Sequence, residues 1–241
     1  MAYGIKLEVW GDLAAFNRPE MKVERVSYDV MTPSSARGIL EAIYWKPQMH
    51  WVVHRIHVLE PIRFTHIRRN EISSKIPVKG NTGVVAAMKS EFGRNTLGIA
   101  VEEHRQQRAA MVLRDVRYGI AASIEVLEDA QSGVESSPEA KHLATFKRRA
   151  LRGQYFHHPY LGVREFPAHF KLVKEFPECP PELRGDRDLG FMLHDIEFIT
   201  DSAGDIIESH RGQRVTARPR FFRALLRNGI VRVPAIDNTL S

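Results

Sequence analysis

Alternation opens the chain. Ile5, Leu7 and Val9 fall on one face and Lys6, Glu8 and Trp10 on the other, which predicts a half-buried strand over residues 4–10. Gly11 to Met31 reads as a loop. From Thr32 the period changes to three and four, and Ala36, Ile39, Leu40 and Ile43 line one side of TPSSARGILEAIYWKP. Thr32 can cap the first amides, Pro33 suits the first helical position, and Pro47 ends the helix near Trp45. Gly38 is the misfit. A mid-helix glycine costs roughly 0.5–1 kcal/mol against alanine, so something is expected to pass close to it.

His50 to Leu59 is rich in β-branched residues and predicts a second strand; Pro61 breaks it, and Ile62 to Ile72 supplies an antiparallel return. Gly80-Asn81-Thr82-Gly83 signals a turn, while residues 78–108 as a whole follow no single period. Met111 to Leu127 alternates as a long strand, and Gly133 to Ser137 is a small polar loop. Ser137-Pro138-Glu139 repeats the earlier capping device and predicts a second helix over residues 138–152, with Gly153 as its stop. Its core side would carry Leu143, Phe146 and Leu151, and its basic side Lys147, Arg148, Arg149 and Arg152. Tyr160 to Phe166 and His169 to Glu175 are expected strands. The order β-α-β-β-(β)-α-β is that of the split βαβ or ferredoxin-like unit, whose open sheet is the platform of RNA-recognition modules.

After Glu175 the composition shifts: FPECPPELRGDRD holds three prolines and a glycine, a boundary or long crossing loop. Residues 1–176 are therefore expected to form a ferredoxin-like domain and residues 177–241 a small antiparallel sheet, an α+β protein. In the second part a strand over Phe191 to Ile199, a turn at Ser202 to Asp205 and a hairpin partner from Ile206 are expected. A short helix over Phe221 to Leu226 would stop at Asn228-Gly229, and Ile230 to Val233 would close as a strand.

Charge and cysteine usage narrow the partners. The 35 lysines and arginines against 29 acids leave +6, which suggests an anionic partner. Arginines cluster at Arg68-Arg69, Arg148-Arg149-Arg152 and from Arg211 to Arg227, and their planar forks suit phosphate. Cys179 is the sole cysteine, so no intramolecular disulfide and no cysteine-rich zinc site can form. The start lacks a signal peptide's apolar core, and no apolar run approaches the ~18–20 residues that span a bilayer, so a cytoplasmic protein is expected.

Lys141 and His142 are expected in the first turn of the second helix, where a cation opposes the helix dipole and a purely structural design would prefer acids. A phosphodiester is welcome at such a terminus, and an imidazole there should lose proton affinity and serve as a base. Metal-ligand spacing is poor: His54 and His57 point to opposite sides of a strand, and His157, His158 and His169 make the best remaining set. HExxH, GxxxxGK[ST] and GxGxxG are absent, and Cys179 lies among prolines without a nearby histidine. Acid–base chemistry on RNA without metal or cofactor is left, since RNA carries its own nucleophile, the 2′-OH, and needs a base, an acid and a cation. Tyr44, His142 and Lys141 would suffice.

LEVWGDLAAF, SYDVMTPSSARGILEAIYWKP and EAKHLATFKRRALRG followed by YLGVREF together resemble the CRISPR-associated RAMP superfamily. Within it they are similar to the fifth Cas family in its d-type form, also called c-type, of subtype I-C. The resemblance covers most of residues 7–166, and LLRNGIVRVP in the tail fits as well. It implies a ferredoxin-like domain with a small C-terminal sheet and metal-independent cleavage of the repeat hairpin in precursor crRNA. It also implies retention of the product in a type I-C surveillance complex (Cascade). The family's Tyr-Lys-His catalytic set falls on Tyr44, Lys141 and His142. Trp45, Lys46, Arg148, Arg149, Arg152 and Arg164 are expected RNA contacts, Trp45 by stacking. The alternative is a non-catalytic subunit of that complex that binds RNA or double-stranded DNA. Where the family usually carries glycines, a double arginine and an aspartate, this chain reads Gly153-Gln154-Tyr155-Phe156-His157-His158-Pro159-Tyr160, and Phe166 replaces the usual cysteine after Arg164-Glu165. Gly38 would then admit a neighbouring backbone, protein or RNA.

Overall fold

A computed structural model describes residues 4–21, 23–80, 83–89, 98, 100–126, 138–199, 206–208 and 214–240. The centre of the turn at Asn81-Thr82, the loop Gly133 to Ser137 with its capping serine, and the turn Ser202 to Asp205 lie outside the described residues.

The chain is mostly antiparallel sheet with few helices. Strand β1 (Gly4–Ala14) is followed by the two-residue β2 (Arg25–Val26), helix α1 (Pro33–Ile43), β3 (Met49–Val58) and β4 (Phe64–Ile72). Short helices α2 (Val84–Lys89) and α3 (Val101–His104) occupy part of the stretch without a clear period. Next come β5 (Arg105–Val126), helix α4 (Pro138–Leu151), β6 (His169–Leu172), β7 (Asp186–Ile199), β8 (Ile206–Glu208), β9 (Arg214–Arg227) and β10 (Ile230–Arg232). The main path of the ten-stranded sheet runs β6-β1-β5-β3-β10-β9-β7, with β2 and β4 joined to β5 and β8 to β9. All pairings are antiparallel except β2 with β5. The chain beyond residue 177 enters this sheet through β10, which pairs with β3 on one side and β9 on the other.

Helices α1 and α4 lie together on one face. Leu7, Val9 and Ile120 of the sheet meet Ile39, Leu40 and Ile43 of α1 and Phe146 of α4, all of them essentially inaccessible to solvent. At about 1.5–3 kcal/mol for each large apolar side chain, this layer dominates the stability. On the opposite face, Gly119 pairs with Glu8 on one side and His57 on the other, and the ring of Phe176 lies over it. A Cβ at residue 119 would sit 2.5 Å from that ring. Beside it the buried Glu8 accepts from Arg117 Nε at 2.7 Å and pairs with Lys171 at 3.2 Å. The sheet face expected as an open platform is thus covered at this point by the segment that crosses from β6 to β7.

Three expected elements differ. Residues 221–226, read as a helix, are the end of β9: Phe222, Ala224 and Leu226 point inward with strand period, and pairing with β7 decides between two periods that FFRALL satisfies equally. Asn228-Gly229 is accordingly no helix stop. Both residues have positive φ (46° and 73°) and form the two-residue turn joining β9 to β10. Residues 160–166 make a tight turn and no strand: Tyr160 forms an isolated bridge to Pro167, and Gly162 has φ +85°. The partner of β7 is β9, with Ile199 opposite Thr216, while β8 pairs with β9 as well. No helix among the described residues is long and apolar enough to cross a membrane.

Candidate active site

Helix α1 ends by delivering Tyr44. The Ser35 amide donates to Thr32 Oγ1 at 3.3 Å, so the expected cap is formed, and Tyr44 leaves the helix in an extended conformation (φ −157°, ψ 125°). Its amide still donates to Leu40 O at 3.0 Å, and its carbonyl accepts the indole N–H of Trp51 at 2.9 Å. Trp51 is braced edge-on by Phe146 of α4. Backbone and ring of Tyr44 are therefore held from three elements, and only 5% of the residue is exposed.

The Tyr44 Oη lies 2.9 Å from His142 Nδ1, two atoms 98 positions apart in the chain. One proton lies between them, and it can belong to either. With Oη–H donating, the neutral imidazole carries its one proton on Nε2 and offers a donor there; with Nδ1–H donating, Nε2 offers a lone pair. Burial pushes the Tyr44 phenol above its usual range against the opposing pull of Arg149, so it stays protonated at neutral pH. Burial also holds the His142 imidazole below its usual value, with Lys141 adding to the effect and Glu139 opposing it. His142 is the fifth residue of α4, beyond the first turn, and burial exceeds every other influence on it; the position expected at the helix terminus is corrected in that respect. Lys141 is exposed beside it, and Thr145 Oγ1 donates to the Lys141 carbonyl at 3.0 Å.

Of the expected RNA contacts, Trp45, Lys46, Arg149 and Arg164 line one cleft with Tyr44, about 1050 Å³ in volume. Arg149 has a structural share as well: Nη1 donates to the Ile43 carbonyl at 3.2 Å, a cation on the C-terminus of α1, and its guanidinium lies 5.3 Å from the Tyr44 ring centre. Arg148 is exposed on α4 and Arg152 in the turn just after it, in line with Lys141 at helical spacing. Arg164 rides on the tight turn, which Arg69 fixes by pairing with Glu165 at 2.7 Å and lying 5.4 Å from the Phe166 ring centre.

Gly38 also lines the cleft, and a Cβ there would meet nothing within 4 Å. The expected close approach of a protein backbone is therefore corrected: the glycine faces open space. Gly38→Ala is expected to stabilise α1 by about 0.5–1 kcal/mol and to raise the melting temperature by roughly 1–4 °C. If RNA backbone runs over this helix, the same variant loses repeat affinity while gaining stability, a combination that a melt and a binding titration read together.

The loop after α4 closes the cleft. Gly153 (φ +63°) ends the helix, the Gln154 amide donates to Arg149 O, and the amides of Phe156 and His157 both donate to the Ala42 carbonyl at 2.8 and 3.2 Å. Residues 4–234 match the family described as CRISPR-associated protein (Cas_Cas5), in its Cas5d form. The chain belongs to the Cas5d family. It is 48% identical over 238 residues, 97% of this chain and 96% of the relative, to the CRISPR pre-crRNA endoribonuclease Cas5d of Mannheimia succiniciproducens. It is 40% identical over 236 residues, 96% of this chain and 91% of the relative, to the protein of the same name from Thermus thermophilus. A crystal structure of a CRISPR-associated protein shares the fold, with a TM-score of 0.64 at 21% identity, covering 98% of this chain and 94% of that one. The resemblance read from IYWKP, AKH and LGVRE is borne out at the level of the family.

Within this Cas5d chain, sequence reasoning gave Phe156, His157, His158 and Tyr160 no part in binding RNA, and weighed the two histidines only as metal ligands, although all four line the cleft. Their signal was a run of rings between two anchors; what was missing was the long-range bond to Ala42 that turns the run toward Tyr44. Arg69 was read only as part of a basic cluster, and its place beneath the Arg164 turn depends on pairing that no local pattern carries.

Proposed function

We propose that the chain is an endoribonuclease that cuts precursor crRNA at the 3′ base of the repeat stem-loop, without a metal ion, and stays on its product within a type I-C surveillance complex. The observation that carries this reading is the 2.9 Å contact between Tyr44 Oη and His142 Nδ1, with the Lys141 ammonium on the adjacent residue. The ribose 2′-OH attacks the neighbouring phosphorus as one member of the Tyr44–His142 pair accepts its proton. The bond from phosphorus to the 5′-oxygen breaks, and that oxygen takes up a proton. The products are a 2′,3′-cyclic phosphate and a 5′-hydroxyl, and Lys141 offsets charge on the phosphorane oxygens. Arg148, Arg152 and Arg164 with Trp45 and Lys46 hold the RNA strand. The succession β1-α1-β3-β5-α4-β6, with β6, β1, β5 and β3 as neighbours, supports a ferredoxin-like unit over residues 1–176, and residues 177–241 would be its small C-terminal sheet. The two relatives named as pre-crRNA endoribonucleases support the substrate class. The setting would be the cytoplasm.

The test is mass analysis of the 3′ end after incubation of the repeat RNA in EDTA. A cyclic phosphate with undiminished rate is expected; loss of cutting with EDTA would remove the metal-free mechanism. Binding of an intact repeat that is never cut would favour a purely RNA- or duplex-DNA-gripping subunit instead.

The pH dependence follows from the shift of His142. A folded-state value below the ordinary 6.5 leaves the imidazole neutral at pH 7. Single-turnover cutting should be flat through neutral pH and fall as acid protonates His142, with a midpoint below 6.5. A midpoint at or above the ordinary histidine value would show that the half-buried His142 imidazole is not the group that titrates.

A further inference from the structure

The cleft beside Tyr44 carries more exposed ring surface than its fold needs. Trp45 is 49% exposed, Phe156 77% and Tyr160 37%, and all three line the same space. Burying one large apolar side chain is worth about 1.5–3 kcal/mol, so rings left in water within one cleft are a binding surface more readily than a packing one. Their loop is placed by bonds: the Phe156 and His157 amides share the Ala42 carbonyl, and His158 Nδ1 donates to Pro159 O at 2.8 Å. Tyr155 meets the rings of His158 and Phe170, which uses those faces within the protein. The Phe156 ring meets that of His157 edge-on, with centroids 4.5 Å apart, and still leaves most of its surface in solvent, as does the half-exposed Trp45. Lys46 and Arg164 line the cleft with them, so the occupant has flat apolar faces and negative charge together.

We propose that Trp45 and the loop 154–160 form a subsite that stacks one unpaired nucleobase of the RNA next to the phosphate being cut. This rests on the endoribonuclease reading for its location and deepens it. A base inside a duplex has both faces covered by its neighbours, whereas an unpaired base at the foot of a stem offers a free face to an aromatic ring. Tyr44 lines the same cleft as the rings, so a base stacked there lies on the Tyr44 side of the Tyr44–His142 pair. The phosphates on either side of it meet Lys46 and Arg164.

The test uses repeat RNAs carrying 2-aminopurine at successive positions, bound to the His142→Ala protein so that the RNA stays whole. Quenching is expected at one position only, and Phe156→Ala or Trp45→Ala in that background should restore the fluorescence. Affinity should fall about 5–100-fold, as expected for loss of one stacked base. Phe156→Tyr should keep the quench, which separates stacking from misfolding. The dependence of affinity on salt should be unchanged by Phe156→Ala and shallower by about one counterion in Arg164→Ala. Quenching at no position, or quenching indifferent to both alanine variants, would overturn the subsite. Failure of the unmodified chain to cut the repeat would remove the endoribonuclease reading and leave the fluorescence to decide this one.

Discussion

His142→Ala should lower single-turnover cutting of the repeat by about 10²–10⁴-fold, the usual worth of a positioned acid or base, in a protein that should still melt as one unit and still bind RNA. The expectation rests on where the side chain sits. The imidazole meets Tyr44 Oη at 2.9 Å and makes no core contact comparable to Phe146 one turn further on. Tyr44→Phe is the sharper partner experiment. It deletes one oxygen and leaves the ring under Arg149 and the backbone bonds to Leu40 and Trp51 untouched. A fall of about 10–10³-fold with unchanged affinity is expected if the phenol holds or relays the proton. The double variant should be little worse than His142→Ala alone, because two groups that act through one hydrogen bond do not lose their effects additively. Full activity in either single variant would remove that residue from the chemistry.

Gly162→Ala should be the most damaging small change outside the Tyr44–His142 pair. At φ +85° an L side chain is strained, and a Cβ there would stand 2.0 Å from the carbonyl oxygen of Ala15 and 2.6 Å from its carbon. Neither neighbour is a side chain that can swing aside. The turn is tied down on both sides, with the Ala15 amide donating to Leu161 O at 3.0 Å and the Leu161 amide to Phe166 O at 2.8 Å. Strain and displacement together should cost about 3 kcal/mol or more, which for a chain of this size lowers the melting temperature by roughly 6–12 °C. Gly153→Ala is the control: φ is also positive there, at +63°, but the added methyl meets open space, so only about 1–2 kcal/mol should be lost. Equal shifts in the two melts would show that the Ala15 contact gives way. Because Arg164 rides on the same turn, Gly162→Ala should also weaken RNA binding at temperatures where the protein is still folded.

How legible the site was depended on the range of the forces that make it. Helix α1 was legible almost to the residue because Thr32, Pro33 and the spacing of Ile39, Leu40 and Ile43 are local signals. The meeting of Tyr44 with His142 was expected from two capped helices packed side by side on one face of a sheet. Elsewhere local patterns were ambiguous. FFRALL satisfies both periods, and β7 chose; the Asn228-Gly229 pair, among the best hairpin signals a chain can carry, was overlooked in favour of a helix stop. The first half of β5 lacks alternation and is a strand because β4 supplies its ladder from Phe64 to Ile72. YLGVREF looks extended in composition, and only the close approach of Ala15 explains why Gly162 must bend it. The ring-lined wall of the cleft exists through one carbonyl, Ala42 O, that receives two amides from the loop that follows α4.

Strand β10 has a consequence for how the molecule comes into being. Ile230, Val231 and Arg232 pair with His57, Ile56 and Arg55, so three residues near the end of the chain complete one side of a strand made near its beginning. Until those residues leave the ribosome, β3 has β5 as its partner on one side and bare amides and carbonyls on the other. Such an edge invites pairing with another chain, and contacts so distant in sequence form slowly. The nascent protein should therefore be most prone to stick to its neighbours late in synthesis, and chains truncated before Ile230 should accumulate as aggregates, even though the whole Tyr44–His142 pair has already been made.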